Sequence, residues 1–308
     1  MKLYSTSSNT LSHVKPAPFS TEREMQELCE SNLDALFGLQ LVKSEFRFQS
    51  FRFDTLCFDE EAKAFVIIEY KKGKSFSVID QGFSYLSAML DNKAEFVLEY
   101  NEILAKKLKR SDVDWTQSRI LFVSPEFSDF QRNAVNFKNV PFELWECSRF
   151  ANDIVAFSQV KTTSQADINE VGGAKMAESS VRKVSKEVKR YTEEDYLNGG
   201  KRPAWVLELY QELKERILNL GEGVEMKVKK VTIGFKQNKG FVDISISNSG
   251  FYVVLNLKKG ALNDPAGLAE DVSAIGHWGS GDYRVYMQSD ENLDYVVGLI
   301  RQSFKNQV

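Results

Sequence analysis

Two acidic residues and one lysine lie at the ends of two neighbouring hydrophobic segments, FRFDTLCF and FVIIEYKKG. Asp54 interrupts the first segment, and Glu69 and Lys71 follow the apolar run of the second. Alternate side chains of a β-strand share a face, so Glu69 and Lys71 continue the face of Ile67. A charge at the end of a buried face is costly unless it is paired or binds a metal. These residues therefore predict a site for a cation, an anion or both.

The polar stretch DEEAK predicts a turn that joins the two segments as antiparallel strands. With the turn centred in this stretch, Phe58 faces Phe65 and Asp54 falls opposite Glu69. Opposed residues have Cβ atoms about 4.5–5.5 Å apart, and two carboxylates at that distance repel each other unless a cation lies between them. The pairing therefore favours a divalent metal over a purely structural role.

The same register places Arg52 opposite Lys71, which is unfavourable unless an anion such as a phosphate binds there. A slip of the register by one residue would remove both pairs. In that case Asp54, Glu69 and Lys71 are solvated residues at a strand end, and Lys71 pairs with Glu69. Spacing alone leaves both interpretations open.

A resemblance to a known nuclease core favours the metal site. Asp54, followed fifteen residues later by Glu69-x-Lys71, resembles the motif of the PD-(D/E)xK nuclease superfamily. Downstream, Gln81 and Tyr85 are four residues apart on a predicted helix, and so share one face. They look like the QxxxY element of some branches of that superfamily.

The segment upstream of the strands resembles the NucS-like endonuclease branch. EREMQELCESN looks like the first helix of that branch, whose glutamate matches Glu22, with Glu24 as the alternative. The resemblance covers about residues 19–90, and the order helix, strand, strand, helix agrees with the nuclease core. The chain departs from the pattern at Phe53, where the superfamily name has proline.

The resemblance implies metal-dependent hydrolysis of phosphodiester bonds, as by a DNA endonuclease. The catalytic residues that it implies are Asp54, Glu69, Lys71, Gln81, Tyr85 and Glu22. Asp54 and Glu69 would bind Mg²⁺ or Mn²⁺ through oxygen ligands. Lys71 would position or deprotonate the attacking water, and Gln81 and Tyr85 would orient the lysine or the substrate backbone. Glu22 would help to hold the metal through a water.

Basic residues next to the motif predict contacts with a nucleic-acid backbone at Arg52, Lys72 and Lys74. The chain has a net charge of −3, and residues 1–160 hold 19 basic and 23 acidic residues, so any such surface is a local patch. The expected ligand is DNA rather than RNA, bound modestly and with a steep dependence on salt. A homodimer is an open alternative to a monomer.

A second interpretation is a non-catalytic module that binds nucleic acid or protein on a nuclease-like scaffold. The complete set of Asp54, Glu69 and Lys71 favours the enzyme, since degenerate members of such folds typically lose one of the three. The low positive charge favours a protein partner or a short, structured substrate.

The surrounding segments alternate between helical and strand patterns, which predicts a mixed α/β sheet flanked by helices, as in restriction-endonuclease-like folds. Thr21 and Glu24 predict a capping box at the start of a helix that ends at Gly38. Strands are predicted in FRFQSFRFDTLCF, AFVIIEY, EFVLEY, RILFVS and FELWEC, and helices near residues 78–91 and 102–110 and across FSDFQRNAVNF.

Composition divides the chain into a nuclease-like domain at residues 1–160, a polar linker at 161–202 and a smaller α+β domain at 203–308. The α+β domain is predicted to hold strands in EMKVKKVTIGFKQ, GFVDISIS, FYVVLNLKK and YRVYMQ, and helices near residues 203–220, 265–275 and 291–305. Asn238-Lys239-Gly240 and Asn248-Ser249-Gly250 predict hairpin turns between its strands.

The α+β domain resembles a family of unknown function called predicted transport proteins, in stretches such as VTIGFKQNKGFVDI and DPAGLAEDVSAIGHWGSGDYRVYM. Its GHWGSG stretch predicts a loop that contacts nucleic acid through His277 and Trp278. Alternatively, Trp278 fills the core beneath the loop. Asp243 interrupts a strand, either as a site residue or as a carboxylate paired with a nearby lysine.

Cysteine and histidine counts exclude a disulfide framework and a zinc site of familiar spacing. The chain holds three cysteines, without a CxxC spacing, and two histidines. No hydrophobic run approaches the roughly 18–20 residues of a membrane span, and MKLYSTSSNT lacks the apolar core of a signal peptide. These features predict a cytoplasmic protein.

Overall fold

The computed structural model describes the protein at residues 2–73, 77–136, 140–161, 184, 187–188, 191–198, 202–276 and 279–306. The chain forms two compact units, Met1–Arg190 and Tyr191–Val308. The division between them lies within the stretch predicted as a linker. Each unit contains its own six-stranded β-sheet.

A two-stranded ribbon and a mixed sheet form the strands of the first unit. The ribbon pairs β1 (Leu3–Ser7) with β2 (Thr10–Val14). The strands of the sheet, in spatial order, are β3 (Gln40–Phe48), β4 (Phe51–Asp59), β5 (Ala64–Tyr70), β6 (Arg119–Ser124), β7 (Phe142–Phe150) and β8 (Ile154–Gln159). β6 is parallel to β5 and to β7, and the other neighbours are antiparallel.

Helices cover both faces of this sheet. They are α1 (Glu22–Glu30), α2 (Leu33–Phe37), α3 (Val78–Asp91), α4 (Lys93–Leu104) and α5 (Asp129–Ala134). Every residue of β5 is buried, because its alternate side chains enter two different cores. Phe65 and Ile67 belong to the core of α3 and α4, whereas Val66 and Ile68 belong to the core of α1. The predicted mixed sheet flanked by helices is confirmed.

An antiparallel sheet with packed helices forms the second unit, as the predicted α+β architecture requires. Its strands, in chain order, are β9 (Glu225–Val228), β10 (Ile233–Lys236), β11 (Gly240–Ser247), β12 (Gly250–Leu255), β13 (Glu270–Asp271) and β14 (Tyr283–Met287). Its helices are α6 (Glu193–Asn198), α7 (Ala204–Leu218) and α8 (Leu293–Lys305). Leu213 of α7 and Ile300 of α8 lie in one core with the buried side chains of the sheet.

The stretch EFVLEY is a helix and not a strand, which corrects the sequence prediction. It lies in α4, and the helix predicted near residues 102–110 is only the last turn of α4. Phe96, Val97 and Tyr100 are its buried residues. Their spacing places them on one face of a helix but on both faces of a strand. Their aromatic and β-branched side chains favour a strand locally, and burial against the sheet overrides that preference.

The helix predicted near residues 265–275 is also wrong. An Asp264 carboxylate oxygen accepts a hydrogen bond from the backbone N–H of Ala269 at 2.7 Å, and the other accepts from the Tyr295 hydroxyl at 2.6 Å. Gly267 has a left-handed φ of 65°. An Asp side chain that binds nearby backbone N–H groups competes with helix formation. The segment therefore forms turns and the short strand β13.

The segment EMKVKKVTIGFKQ forms two strands, β9 and β10, where one was predicted. The N–H of Lys229 donates to the carbonyl of Thr232 at 2.8 Å and closes a turn that contains neither glycine nor proline. The Lys229 ammonium also lies 2.7 Å from Asp243 Oδ1, and both residues are buried. Asp243 is therefore paired with a nearby lysine, which was one of the two predicted alternatives.

Several local predictions are confirmed. Phe58 pairs with Phe65 in the β4–β5 ladder, and the two predicted hairpin turns join β10 to β11 and β11 to β12. The Thr21 hydroxyl accepts from the N–H of Glu24 at 3.0 Å. The helix predicted to reach Gly38 is divided into α1 and α2.

No helix in the part of the chain that the structure describes is both long enough and apolar enough to cross a membrane.

Candidate active site

The predicted strand register brings the two acidic residues of the motif together. The β4–β5 ladder ends with the pair Thr55 and Ile68, and Asp54 and Glu69 are the next residues in the same register. One oxygen of Asp54, Oδ2, accepts a hydrogen bond from the backbone N–H of Tyr70 at 3.0 Å. Asp54 is thereby fastened to the strand that carries Glu69.

Glu69 is a buried carboxylate whose two oxygens have different surroundings. Its relative exposure is 2%. Oε1 accepts hydrogen bonds from Lys71 Nζ at 2.6 Å and from Gln81 Nε2 at 2.7 Å. Oε2 is buried and accepts no hydrogen bond from the described residues. Buried polar atoms without a partner are rare and costly, so this oxygen has capacity for a further ligand.

The pKa values of both carboxyl groups are raised. Burial, together with the charge of Asp54, raises the pKa of Glu69 to about 7, although the hydrogen bond from Lys71 lowers it. Burial also raises the pKa of Asp54, against the opposing effect of the Tyr70 N–H. Burial and mutual repulsion both disfavour two charged carboxylates here, and a cation between them would relieve both.

Lys71 is held in its charged form. Burial lowers the pKa of Lys71, but the hydrogen bond and the charge of Glu69 outweigh burial, and the net shift is upward. The Lys71 side chain is 22% exposed, so its ammonium lies where the buried carboxylate meets solvent. A raised pKa suits a lysine that donates hydrogen bonds better than one that removes a proton.

Helix α3 places two polar side chains against the carboxylate. Gln81 Nε2 donates to Glu69 Oε1 and, at 2.9 Å, to the Tyr85 hydroxyl. That hydroxyl in turn donates to the main-chain oxygen of Arg52 at 3.0 Å. A continuous chain of hydrogen bonds therefore links β5, α3 and β4 around the site.

Of the two helical glutamates, Glu22 lies beside the motif. Glu22 Oε1 accepts a hydrogen bond from the N–H of Lys72 at 2.8 Å. Glu24 instead accepts from the N–H of Ser20 at 2.7 Å and forms an ion pair with Arg149. Glu24 therefore fastens the start of α1, and Glu22 is the helical carboxylate that borders the site.

The basic residues predicted to contact phosphate have partners within the chain. Arg52 forms an ion pair with Glu45 of β3, and Lys72 Nζ donates to the main-chain oxygen of Ser20 at 2.6 Å. The predicted repulsion between Arg52 and Lys71 is thus relieved by one carboxylate each, and it does not by itself require an anion. Lys74, His277 and Trp278 lie outside the described residues.

Two residues that the sequence did not single out lie beside Asp54. Gln26 of α1 is buried, and its Nε2 donates to the main-chain oxygen of Asp54 at 2.9 Å. Glu45 has a left-handed φ of 55° in the middle of β3, at the position that faces Asp54. The sequence carries one weak signal of this role for Gln26. It is next to Met25, at the edge of the apolar face of α1, where burial is expected.

Asp54 and Glu69 alone are too few ligands to complete the coordination of a metal ion. No group of three or more His, Cys, Asp or Glu side chains within the described ranges is arranged to bind a metal ion. Mg²⁺ commonly takes one or two protein carboxylates and completes its shell with waters and substrate phosphates. Asp54 and Glu69 Oε2, which has no partner in the described part of the chain, form a donor set of that composition.

Comparisons with known proteins relate the whole chain to one relative and its second unit to one domain family. A model of a domain of unknown function (DUF5655) matches residues 193–307. A Haemophilus influenzae protein, described as an uncharacterized protein, is 44% identical over 307 residues, which cover 99% of this chain and 100% of the relative.

Two solved structures are weakly similar to part of the chain. They are the crystal structure of a repair endonuclease from Pyrococcus abyssi, at 16% identity, and the structure of an EndoMS-dsDNA2 complex, at 18% identity. Each alignment covers 42% of this chain, and 48% and 46% of the two endonuclease chains respectively. Both TM-scores are 0.25, which is too low to indicate a shared fold.

Proposed function

This chain belongs to one family with the Haemophilus influenzae relative, and we propose that its first unit is a metal-dependent nuclease. The proposed reaction is hydrolysis of phosphodiester bonds in nucleic acid, with DNA favoured over RNA. The observation that carries the proposal is Glu69, a buried carboxylate beside a second carboxylate, with one oxygen held by an ammonium and an amide and the other unpartnered among the described residues.

The donor chemistry of the site fits a hard divalent cation. Asp54 and Glu69 offer only oxygen ligands, as Mg²⁺ and Mn²⁺ prefer. Asp54 and Glu69 both have raised pKa values that a nearby positive charge would lower. When bound there, Mg²⁺ or Mn²⁺ would lower the pKa of a water and stabilise negative charge on the phosphate.

The remaining side chains position this pair and the substrate. Lys71 has three N–H donors, of which one is used on Glu69. The others donate to no described residue and would serve a scissile phosphate or the attacking water, and the raised pKa of Lys71 supports the role of a charged donor. Gln81 and Tyr85 fix the orientation of Glu69, and Glu22 holds the backbone that follows the motif at Lys72.

A cleavage assay on the full-length protein tests this proposal. Labelled duplex DNA, single-stranded DNA, flap DNA and RNA are incubated with Mg²⁺, Mn²⁺ or EDTA. We expect metal-dependent cutting of a DNA substrate, and a loss of at least about 100-fold in both Glu69→Gln and Lys71→Met, because each removes a charge at the reacting centre.

The matched control is Lys43→Met, which changes another strand lysine that is ion-paired, in its case with Glu99. We expect its activity to remain within about twofold of the unaltered protein. Cutting that persists in EDTA, or in both site variants, would contradict the proposal. An absence of cutting on every substrate, together with no calorimetric binding of Mg²⁺ or Mn²⁺, would support the non-catalytic binding module instead.

A further inference from the structure

The β1–β2 ribbon, residues 3–14, is exposed along almost its whole length. Its strands are joined by Ser8 and Asn9, which have φ values of 46° and 63°, as in the type I′ turns of tight hairpins. All of residues 4–13 are exposed. Only Val14, at the base of the ribbon, is buried.

An element of this kind gains little from folding on its own. A two-stranded hairpin is at best marginally stable in water, and its unpaired edges invite contacts with other molecules. The base of the ribbon is nevertheless fastened to β7 and the turn after it. The N–H of Ala17 donates to the carbonyl of Arg149 at 2.9 Å, and the N–H of Ala151 donates to the carbonyl of Lys15 at 2.8 Å. The base of the ribbon is therefore held in place by hydrogen bonds to the rest of the first unit.

The chemistry of the ribbon differs from that of the rest of the unit. Residues 1–21 contain no Asp or Glu, whereas residues 1–160 as a whole contain more acidic than basic residues. The ribbon register places four hydroxyl side chains on one face, Ser5, Ser7, Thr10 and Ser12. Lys2 and Lys15 flank the two strands. Hydroxyl groups, amides and lysines are the groups that contact phosphates in protein–DNA complexes.

A protein partner fits this composition less well. The centres of protein–protein interfaces are enriched in aromatic residues, Met and Arg, and depleted in Ser and Lys. The ribbon exposes one aromatic pair, Tyr4 and His13, with ring centroids 5.4 Å apart, and one aliphatic side chain, Leu11. Its remaining exposed surface is hydroxyl and amide groups.

The ribbon is also close enough to the candidate site to contact the same nucleic acid. Ser20, whose carbonyl accepts from Lys72 Nζ, is five residues beyond Lys15 at the ribbon base. Five residues span at most about 18 Å, which is the length of about five base pairs of duplex at 3.4 Å per step. A duplex bound at the site therefore passes within reach of the ribbon.

We propose that the β1–β2 ribbon is an arm that contacts duplex DNA, by entering the major groove beside the bond to be cut. The B-form major groove, about 12 Å wide, admits a two-stranded ribbon, whereas the narrow major groove of duplex RNA does not. This inference rests on the proposed nuclease function for its ligand, and it assigns the ribbon to binding and not to the chemical step.

Two ribbon variants of the full-length protein separate charge from shape. Ser5→Asp/Thr10→Asp adds two negative charges on the hydroxyl face at diagonal positions, and Ser5→Asn/Thr10→Asn has nearly the same shape without charge. Affinity for a labelled duplex is measured by fluorescence anisotropy in the Glu69→Gln background, with RNA duplex as a second ligand. We expect the Asp pair to bind duplex DNA about tenfold more weakly, and the Asn pair to bind within about twofold of the unaltered ribbon.

A kinetic comparison distinguishes a failure of this inference from a failure of the proposed function. In the active protein, the Asp pair should raise KM about tenfold and leave kcat unchanged. Cutting of DNA with equal KM in both ribbon variants would overturn the DNA-contacting arm and leave the nuclease intact. Ribbon-dependent DNA binding without cutting would leave the arm intact and overturn the nuclease.

Two further results would also overturn the inference. One is that the protein with its unaltered ribbon fails to bind duplex DNA at low salt. The other is that the Asp pair leaves DNA affinity unchanged and shifts a monomer–dimer equilibrium in analytical ultracentrifugation, which would identify a second copy of the chain as the partner.

Discussion

At the scale of single residues, Glu69 and Gln26 have opposite effects on hydrogen bonding where β4 and β5 meet. Glu69 brings a charge into a buried position and has one oxygen without a donor among the described residues. Gln26 supplies a donor to the main-chain oxygen of Asp54, on the neighbouring strand. Glu69 therefore offers an oxygen that a ligand can bind, whereas Gln26 supplies the hydrogen bond that a backbone oxygen needs.

Removing the donors of Gln26 should destabilise the first unit. In Gln26→Met the volume is nearly preserved, but the carbonyl of Asp54 loses its side-chain donor, and so does Ser44. A buried carbonyl that loses its partner costs about 1–3 kcal/mol. We expect a loss of that size in the free energy of unfolding, measured by urea denaturation.

A substitution on the exposed side of the same helix is the control for Gln26→Met. Arg23 and Glu27 form an ion pair, but their side chains are 84% and 63% exposed. Arg23→Ala should therefore change the free energy of unfolding by less than about 1 kcal/mol. Equal effects of the two substitutions would show that the hydrogen bond from Gln26 to Asp54 does not stabilise the fold.

A second residue-scale prediction concerns pH. Burial raises the pKa of Glu60, but hydrogen bonds from Lys106 at 2.7 Å and Lys63 at 2.9 Å outweigh burial and lower it to about 2. Since the folded-state pKa is depressed, the stabilisation is present above the ordinary pKa near 4.5 and is lost as pH falls through 2. The Glu60 side chain is 44% exposed, so screening by solvent limits the effect to about 1 kcal/mol.

Urea denaturation at two pH values tests whether the stabilisation by Glu60 decreases toward acid pH. Glu60→Gln should be less stable than the unaltered protein at pH 7, by up to about 1 kcal/mol, and the difference should shrink at about pH 2.5. Added salt should also reduce the difference at pH 7, because the ion pairs are partly exposed. A difference that grows toward acid pH would contradict the assigned cause.

The sequence predicted the residues of the site better than their partners. The register of Asp54 and Glu69 follows from a two-residue period and a turn centred in DEEAK, whereas their interpretation as a metal site rests on the resemblance to a nuclease core. The support from Gln26 could not be predicted in the same way, because it depends on the angle at which α1 crosses β4. The ion pair of Arg52 depends on a left-handed Glu45 within β3, which no local pattern indicates.

At the scale of elements, helix α3 can hold Gln81 against Glu69 because a glycine lets it approach the sheet closely. A Cβ atom added at Gly82 would lie 2.6 Å from ring atoms of Phe142 on β7. Phe142 is itself buried and stacks edge-on with Phe83 at 4.9 Å between ring centroids. The packing of α3 on β7 therefore leaves no room for a side chain at position 82.

Gly82→Ala should be destabilising although alanine favours helices by about 1 kcal/mol relative to glycine. Overpacking in a closed core costs typically 1–3 kcal/mol, so a net loss in the free energy of unfolding is expected. The displaced helix should also lower the rate of cleavage, because Gln81 moves away from Glu69. Urea denaturation and the cleavage assay measure the two effects.

The double variant Gly82→Ala/Phe142→Leu tests the cause, since the smaller side chain makes room for the added methyl group. It should recover part of the stability lost in Gly82→Ala. Ser84→Ala, a half-buried position on the same helix, is the control and should change stability by less than about 0.5 kcal/mol. A stabilised Gly82→Ala would show that helix propensity outweighs the contact.

Element types followed from the sequence wherever pattern and burial agree. The run FVIIEY is buried on both faces and reads as a strand by every criterion. EFVLEY has the composition of a strand and the spacing of a helix, and the spacing prevailed because Phe96 and Tyr100 both enter the core beside α3. The β1–β2 ribbon went unpredicted, because its side chains are exposed on both faces and therefore show no alternation.

At the scale of the whole molecule, the balance of charge limits how the protein can bind nucleic acid. The net charge is −3, so the proposed binding of nucleic acid would depend on a small number of cations near the site and on the ribbon. Those described in the structure are Lys71, Lys72, Arg52, Lys2 and Lys15. The dependence of affinity on salt should be weaker than for a strongly basic protein, because each phosphate contact adds a fixed amount to the slope of log affinity against log salt.

The slope of log affinity against log salt should therefore lie between about −1.8 and −4.5, as expected for two to five phosphate contacts at about −0.9 each. Between 50 and 200 mM salt, affinity for duplex DNA should fall by about 10- to 500-fold, as measured by anisotropy in the Glu69→Gln background. Lys72→Met should reduce the magnitude of the slope by about 1, whereas Lys107→Met, at an exposed position outside the motif, should leave it unchanged. A slope near zero would exclude phosphate contacts as the source of affinity, and one steeper than about −8 would require a longer basic track than these five residues provide.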